Sequence, residues 1–125
     1  MFNTSLNNAL TRANSDLIAG YAMPSNTYET LTAGASGAEY IAPANGYFYC
    51  QTRASVNGGG FSIIKTDSDN NTIMQEMQKT LNGSIIGGFL PVLKNDTVKI
   101  FYDSTNGLLI NFIYAVGSES EANNV

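Results

Sequence analysis

Between residues 27 and 116 the chain is cut at short intervals by clusters of Gly, Asn, Asp, Ser and Pro, and this punctuation constrains the fold more than any other feature. The clusters are Gly34–Gly37, Pro43–Asn45, Ser55–Gly59, Asp67–Asn71, Thr80–Gly83, Lys94–Asp96 and Asp103–Gly107. Such residues favour turns: Gly supplies positive φ, Pro fixes φ, and Asn, Asp and Ser side chains bond their own backbone. The segments between them are too short for ordinary helices and rich in β-branched and aromatic residues, so they read as strands. Strands are predicted at Thr27–Thr32, Glu39–Ala42, Gly46–Ala54, Gly60–Thr66, Thr72–Lys79, Ser84–Val92, Thr97–Tyr102 and Leu108–Val116. That count predicts an all-β, antiparallel, jelly-roll-like β-sandwich of about eight strands.

Outside this body the chain divides simply. Residues 1–24 read as an N-terminal arm, helical or irregular, 27–116 as the sandwich, and 117–125 as a frayed acidic tail. In the arm, Leu6, Leu10, Ala13 and Leu17 recur at spacings that place them on one helical stripe, and the same spacing fits a short coiled-coil seam. Gly20 and Pro24 end whatever helix forms there. The first residues carry neither the basic start nor the apolar run of a signal peptide, and no stretch of about 18 apolar residues occurs, so neither cleaved export nor membrane insertion is expected.

Composition removes whole classes of function. Six Lys and Arg stand against ten Asp and Glu in 125 residues, giving a net charge of -4. A phosphate-tracking surface needs a local excess of cations, so no nucleic-acid partner is expected. Asn, Ser, Thr and Gly supply 49 residues, which makes the surface polar but uncharged, while seven Tyr and six Phe supply material for a core. With no His and a single Cys, imidazole bases, Cys–His pairs and zinc clusters are all excluded. Cys50, within the run Tyr47, Phe48, Tyr49, reads as a buried, inert thiol.

The remaining chemical candidates resolve to structure. Asp67, Asp69 and Asn71 have the alternate spacing of a calcium loop, but Thr72 stands where the sharp-turn Gly belongs and Gln78 where the bidentate Glu belongs, so an ordinary hairpin is expected. The run Gly58, Gly59, Gly60 lacks the Lys-Ser/Thr and the helix of a phosphate loop and reads as a flexible tip. A glycosidase would need two carboxylates converging in a cleft, and Asp103 with Glu29, Glu39 or Glu76 shows no such convergence in sequence. No enzyme activity, cofactor or metal is therefore expected.

Two strands carry apolar residues on both faces. In the last, Leu108, Ile110, Phe112 and Tyr114 alternate with Leu109, Ile113 and Ala115; in the sixth, Ile85, Gly87 and Phe89 alternate with Ile86, Gly88 and Leu90. A sandwich strand normally shows water one face, so Ile85, Phe89, Leu108, Ile110, Phe112, Ile113 and Tyr114 divide between core and a subunit interface, and a homo-oligomer is expected.

Two stretches, YIAPANGYFYC (Tyr40 to Cys50) and FLPVLKNDTVKIFY (Phe89 to Tyr102) closing on NFIYAVG (Asn111 to Gly117), resemble small β-sandwich domains of tailed-phage and prophage fibre or head-fibre proteins. The layout is similar to the trimeric knobs of the complement globular-head and tumour-necrosis-factor type. The resemblance covers the last two thirds of the chain and implies a homotrimeric virion-surface protein, made in the host cytoplasm without a signal peptide. It also implies a face directed at a host receptor or glycan. The arm lies outside the resemblance and is expected to attach the chain to a capsid or tail protein or to a longer fibre. A capsid decoration protein without receptor binding and a stand-alone carbohydrate-binding module are the alternatives. If successive strands run antiparallel, Gly34–Gly37, Ser55–Gly59, Thr80–Gly83 and Asp103–Gly107 gather at the end opposite Thr27 and Val116. Host contact is expected there, through Asn57, Asn82, Ser104 and Asn106, whose amides and hydroxyl can exchange hydrogen bonds with sugar hydroxyls.

Overall fold

The computed structural model describes residues 22–123. The arm stripe of Leu6, Leu10, Ala13 and Leu17 lies outside them. Eight strands form: β1 (Pro24–Thr30), β2 (Ala38–Ile41), β3 (Gly46–Arg53), β4 (Gly59–Thr66), β5 (Thr72–Thr80), β6 (Ile85–Val92), β7 (Thr97–Tyr102) and β8 (Leu109–Ala115). They build two four-stranded sheets, ordered β1-β8-β3-β6 and β2-β7-β4-β5, with every pair antiparallel. The chain changes sheet at every connection except β4–β5. This interleaving of first-half and second-half strands is a jelly roll, as the punctuation predicts.

The alternation within β3 shows how the layers form. Gly46, Phe48, Cys50 and Thr52 point inward and are buried, while Tyr47, Tyr49, Gln51 and Arg53 point outward. Between the sheets, Phe48 and Phe112 meet edge to face at 5.1 Å, as do Phe112 and Tyr114 at 4.9 Å. Cys50, Leu90, Val92 and Ile110 add to the first sheet's share of the core, and Phe61, Ile63, Val98 and Ile100 face them from the second. Thr52, the fully buried hydroxyl of this layer, donates to the Ser104 carbonyl at 2.8 Å, so its burial leaves no unpaired polar group.

Both termini of the body differ from expectation. The first strand begins at Pro24 rather than Thr27, which β1 tolerates because it is an edge strand with no ladder partner for the missing N–H. Of the tail expected to fray over 117–125, Glu119–Asn123 instead form a 3-10 turn with Ala122 packed against the core. Lys94 Nζ pairs with Glu121 at 3.2 Å, and Thr27 Oγ1 donates to Glu119 at 3.4 Å. The turn closes the sandwich near Tyr114, whose hydroxyl is buried without a hydrogen-bond partner. Burial, followed by the charges of Glu29 and Glu121, raises that phenol above its ordinary range.

The β4–β5 hairpin is an Asx turn. Asp67 Oδ1 accepts from the amides of Asp69 and Asn71, both at 2.9 Å, with Asn70 at φ 67°. The Asn71 amide above all holds the Asp67 carboxyl below its usual range. The spacing that suggests a calcium loop thus serves the loop's own backbone.

Candidate interaction site

The outer face of the first sheet is one candidate surface. Strand register aligns Tyr28, Ile113, Tyr47 and Pro91 in one row and Thr30, Asn111, Tyr49 and Phe89 in the next. Leu109, Gln51 and Gly87 follow, then Arg53 and Ile85. Arg53 is the one charge in these four rows. Tyr47 and Phe89 meet edge to face at 5.6 Å, and the Tyr49 ring lies across Gly87, where a Cβ would strike it. Tyr49 Oη donates to Gln51 Oε1 at 3.1 Å, Thr30 Oγ1 donates to Asn111 Oδ1 at 2.9 Å, and Tyr47 Oη donates to the Ala22 carbonyl. Despite these internal bonds, Tyr28 is 61%, Phe89 55% and Ile85 52% exposed.

The seven residues expected to divide between core and interface split by parity between the core and the outer face of the first sheet. Ile110, Phe112 and Tyr114 are buried inward and Leu108 packs against the core. Ile85, Phe89 and Ile113 face outward. Both doubly apolar strands lie in one sheet, flanking β3, so their outer residues join through Tyr47 and Tyr49 into one surface. Sequence reasoning missed Tyr28, Tyr47 and Tyr49. The alternation of GYFYCQTR exposes Tyr47 and Tyr49 once Phe48 and Cys50 are placed inside, but nothing local reveals that β3 lies between β6 and β8.

At one end of the sandwich the turns before β2, β4, β6 and β8 come together, as strand parity predicts. Asp103 is their knot: Oδ2 accepts from the Ser55 amide at 3.0 Å and its hydroxyl at 2.9 Å, and Oδ1 accepts from the Gly60 amide at 3.0 Å. These bonds, the Ser55 amide first, hold the Asp103 carboxyl below its ordinary range. Ser36 accepts from the Tyr102 amide at 2.9 Å, joining the β1–β2 turn to the same end.

Asn57, Asn82, Ser104 and Asn106 all lie on these turns, but not all are free to bind. Asn57 Oδ1 accepts the Asn82 amide at 3.0 Å, and Ser104 Oγ accepts the Asn106 amide at 3.0 Å. The first of these bonds ties two turns together, and the second shapes the turn before β8. Gly58–Gly60 also differs from the flexible tip expected. Gly59 and Gly60 are buried, and the three amides donate to the Thr80 carbonyl, the Val56 carbonyl and Asp103. No amide of the run is left to cradle a phosphate.

The opposite end contains the two stretches that carry the fibre resemblance, and they pack on each other. Ala42 N donates to the Asp96 carbonyl and Asn95 N to the Ala42 carbonyl, both at 2.8 Å, while Asn45 Oδ1 accepts the Lys94 amide at 2.8 Å. Asp96 Oδ2 caps Leu93 N at 2.7 Å and pairs with Lys65 at 2.7 Å. Those motifs therefore encode a corner of the sandwich. An apolar recess of about 430 Å³ beside it is lined by Tyr47, Met74, Pro91, Val92, Leu93 and Ala22, the residue at which the described chain begins.

The four acidic candidates are placed apart. Asp103 is at the knot, Glu39 on the outer face of the second sheet opposite Lys99, and Glu29 and Glu76 on edge strands β1 and β5 of different sheets. Glu76 accepts from Gln78 Nε2 at 2.8 Å.

These features define a jelly-roll sandwich with an aromatic outer face that carries one charge, Arg53, and a tied cluster of loops at one end. No protein-family model matches the chain. No curated protein matches it either. Among solved structures it is similar to a carbohydrate-binding module from Cellvibrio mixtus lichenase 5A, solved in complex with cellotriose. That likeness has 15% identity over 76% of this chain and 89% of the other, with a TM-score of 0.26, and says nothing of what this chain binds.

Proposed function

We propose that the chain is a non-enzymatic, homotrimeric virion-surface module, a fibre or head-fibre knob whose loop end faces the host. The observation that carries the reading is the contiguous surface of Tyr28, Tyr47, Tyr49, Phe89, Ile85 and Ile113 on the first sheet, with Arg53 as its single charge at the loop end. An apolar, aromatic face of this extent is stabilised when a second copy removes it from water, and aromatic anchors without charges are the composition of an interface core. Ala22 lies against Tyr47, beside this face and at the end opposite the loops, which supports a reading in which attachment is at that end. Attachment to a capsid or tail protein through the arm, and host contact through the loops, complete the reading.

Sedimentation velocity tests the trimer directly. A species of three 13.4 kDa chains at micromolar concentration is the expected result, and a monomer would reject it. One observation favours a second reading: Gln51 and Asn111 lie among the same rings, a combination that also suits a glycan chain laid along the sheet. In that case the chain is a monomeric carbohydrate-binding module, and Tyr49→Ala abolishes oligosaccharide binding.

A further inference from the structure

We propose that the hollow between Phe101 and Asp103, on the outer face of the second sheet at the loop end, is a binding site for a single neutral pyranose residue. The inference deepens the reading of that end as host-facing and gives it a ligand. The hollow, of about 220 Å³, is lined among others by Ser62, Met77, Lys79, Phe101 and Asp103. Register makes it a built feature: Phe101, Ser62 and Met77 lie side by side across β7, β4 and β5, and the next row brings Gly60 beside Lys79. Asp103, which donates its own amide to the Gly60 carbonyl, closes the upper edge.

Each group there has a partner on a sugar ring. Phe101 is 40% exposed, and its ring is backed by Gly37, where φ is +91° and a Cβ would stand 3.0 Å from a ring carbon. One side of the ring is thereby fixed against main chain and the other left open for the C–H face of a pyranose. The Asp103 carboxylate is immobilised by three accepted bonds, two on Oδ2 and one on Oδ1, which leaves an acceptor position on Oδ1 for a sugar hydroxyl. Lys79 makes no ion pair among the described residues and supplies donors, and Ser62 supplies a hydroxyl that gives or accepts. A phosphate is disfavoured because every amide of Gly58–Gly60 is already bonded and Asp103 is negative. At about 220 Å³, below the roughly 300–1,000 Å³ of sites for drug-sized molecules, the hollow has room for one ring, and any further rings of a longer glycan would lie outside it.

Amide chemical-shift mapping of the full chain, titrated with methyl glucopyranoside, methyl galactopyranoside and methyl N-acetylglucosaminide, tests this. At least one should shift Gly60, Lys79, Phe101 and Asp103. Phe101→Ala should weaken that binding at least tenfold, and Phe101→Tyr should retain it. No shift with any of the three sugars, shifts confined to Tyr49 and Phe89, or unchanged affinity in Phe101→Ala would overturn the site. Inorganic phosphate that shifts the same residues and displaces the sugar would overturn the neutral ligand. Sedimentation of the same samples reports on the trimer independently, so a monomer that binds at Phe101 would remove the oligomer and keep the site.

Discussion

Cys50 is fully buried between the sheets, and burial pushes its thiol from 9.0 up to about 12. Because the folded value is raised, its contribution to stability is whole below pH 9 and is lost as pH climbs toward 12, at about 1.4 kcal/mol per pH unit. The stability difference between the wild type and Cys50→Ala should therefore move by about 2 kcal/mol in favour of the variant between pH 8 and pH 10.5. Denaturant midpoints at the two pH values measure it, and a constant difference would mean that the folded thiol ionises freely. Asp103 works in the opposite direction. Its depressed carboxyl favours the fold above the usual carboxylate range, and that contribution disappears as acid protonates it. Asp103→Ala strands the buried Gly60 amide and should cost about 1–3 kcal/mol near neutral pH, with the gap to wild type narrowing below about pH 4.

At the scale of elements, β8 offers the sharpest test because neighbouring residues have opposite surroundings. Phe112 is fully buried between two aromatic rings, so Phe112→Asp puts an unpaired charge in the core and should abolish folding. Ile113 faces outward beside Tyr28 and Tyr47, so Ile113→Asp should leave the circular dichroism spectrum intact and remove the oligomer. Loss of folding in both variants would contradict the outward placement of Ile113. The C-terminal turn is a second element with a measurable role. Deleting residues 117–125 removes the Ala122 contact and the Lys94–Glu121 pair, and should cost about 1–2 kcal/mol, read as a lower Tm. An unchanged Tm would mean that the tail frays in solution.

For the whole molecule, the two ends are built differently. One combines the chain's entrance at Ala22, the apolar recess and the corner built by Ala42, Asn45, Asn95 and Asp96. The other combines the four tied turns. In a trimer formed through the first sheet, melting should depend on protein concentration, because a partner that binds only the folded chain stabilises it by mass action. A melting temperature constant across a hundredfold dilution, with a single 13.4 kDa species throughout, would place the aromatic face in contact with ligand or solvent instead. Substitutions at the loop end should leave assembly intact. They are not all neutral for folding, since Asn57 and Ser104 accept backbone amides that Ala would leave unpaired.

The strands, their parity and the gathering of alternate turns at one end were legible in the sequence because they are local. A period of two fixes which side of a strand is apolar, and Gly, Asn, Asp and Pro fix where it must turn. That period groups Ile110 with Phe112 and separates them from Ile113, but with both faces of β8 apolar it does not say which group is inward. Which strands lie side by side is decided only when distant segments close on one another. The placement of β3 between β6 and β8 turns two separate apolar stripes into a single surface and adds Tyr47 and Tyr49 to it, while β1 beside β8 adds Tyr28. The same long-range closure brings Asp103 to Gly60, 43 positions away, and makes a rigid wall from glycines that read locally as a loose tip. It also folds the tail back, because a lone Ala122 shows no periodicity in sequence yet finds an uncovered stretch of core to bury.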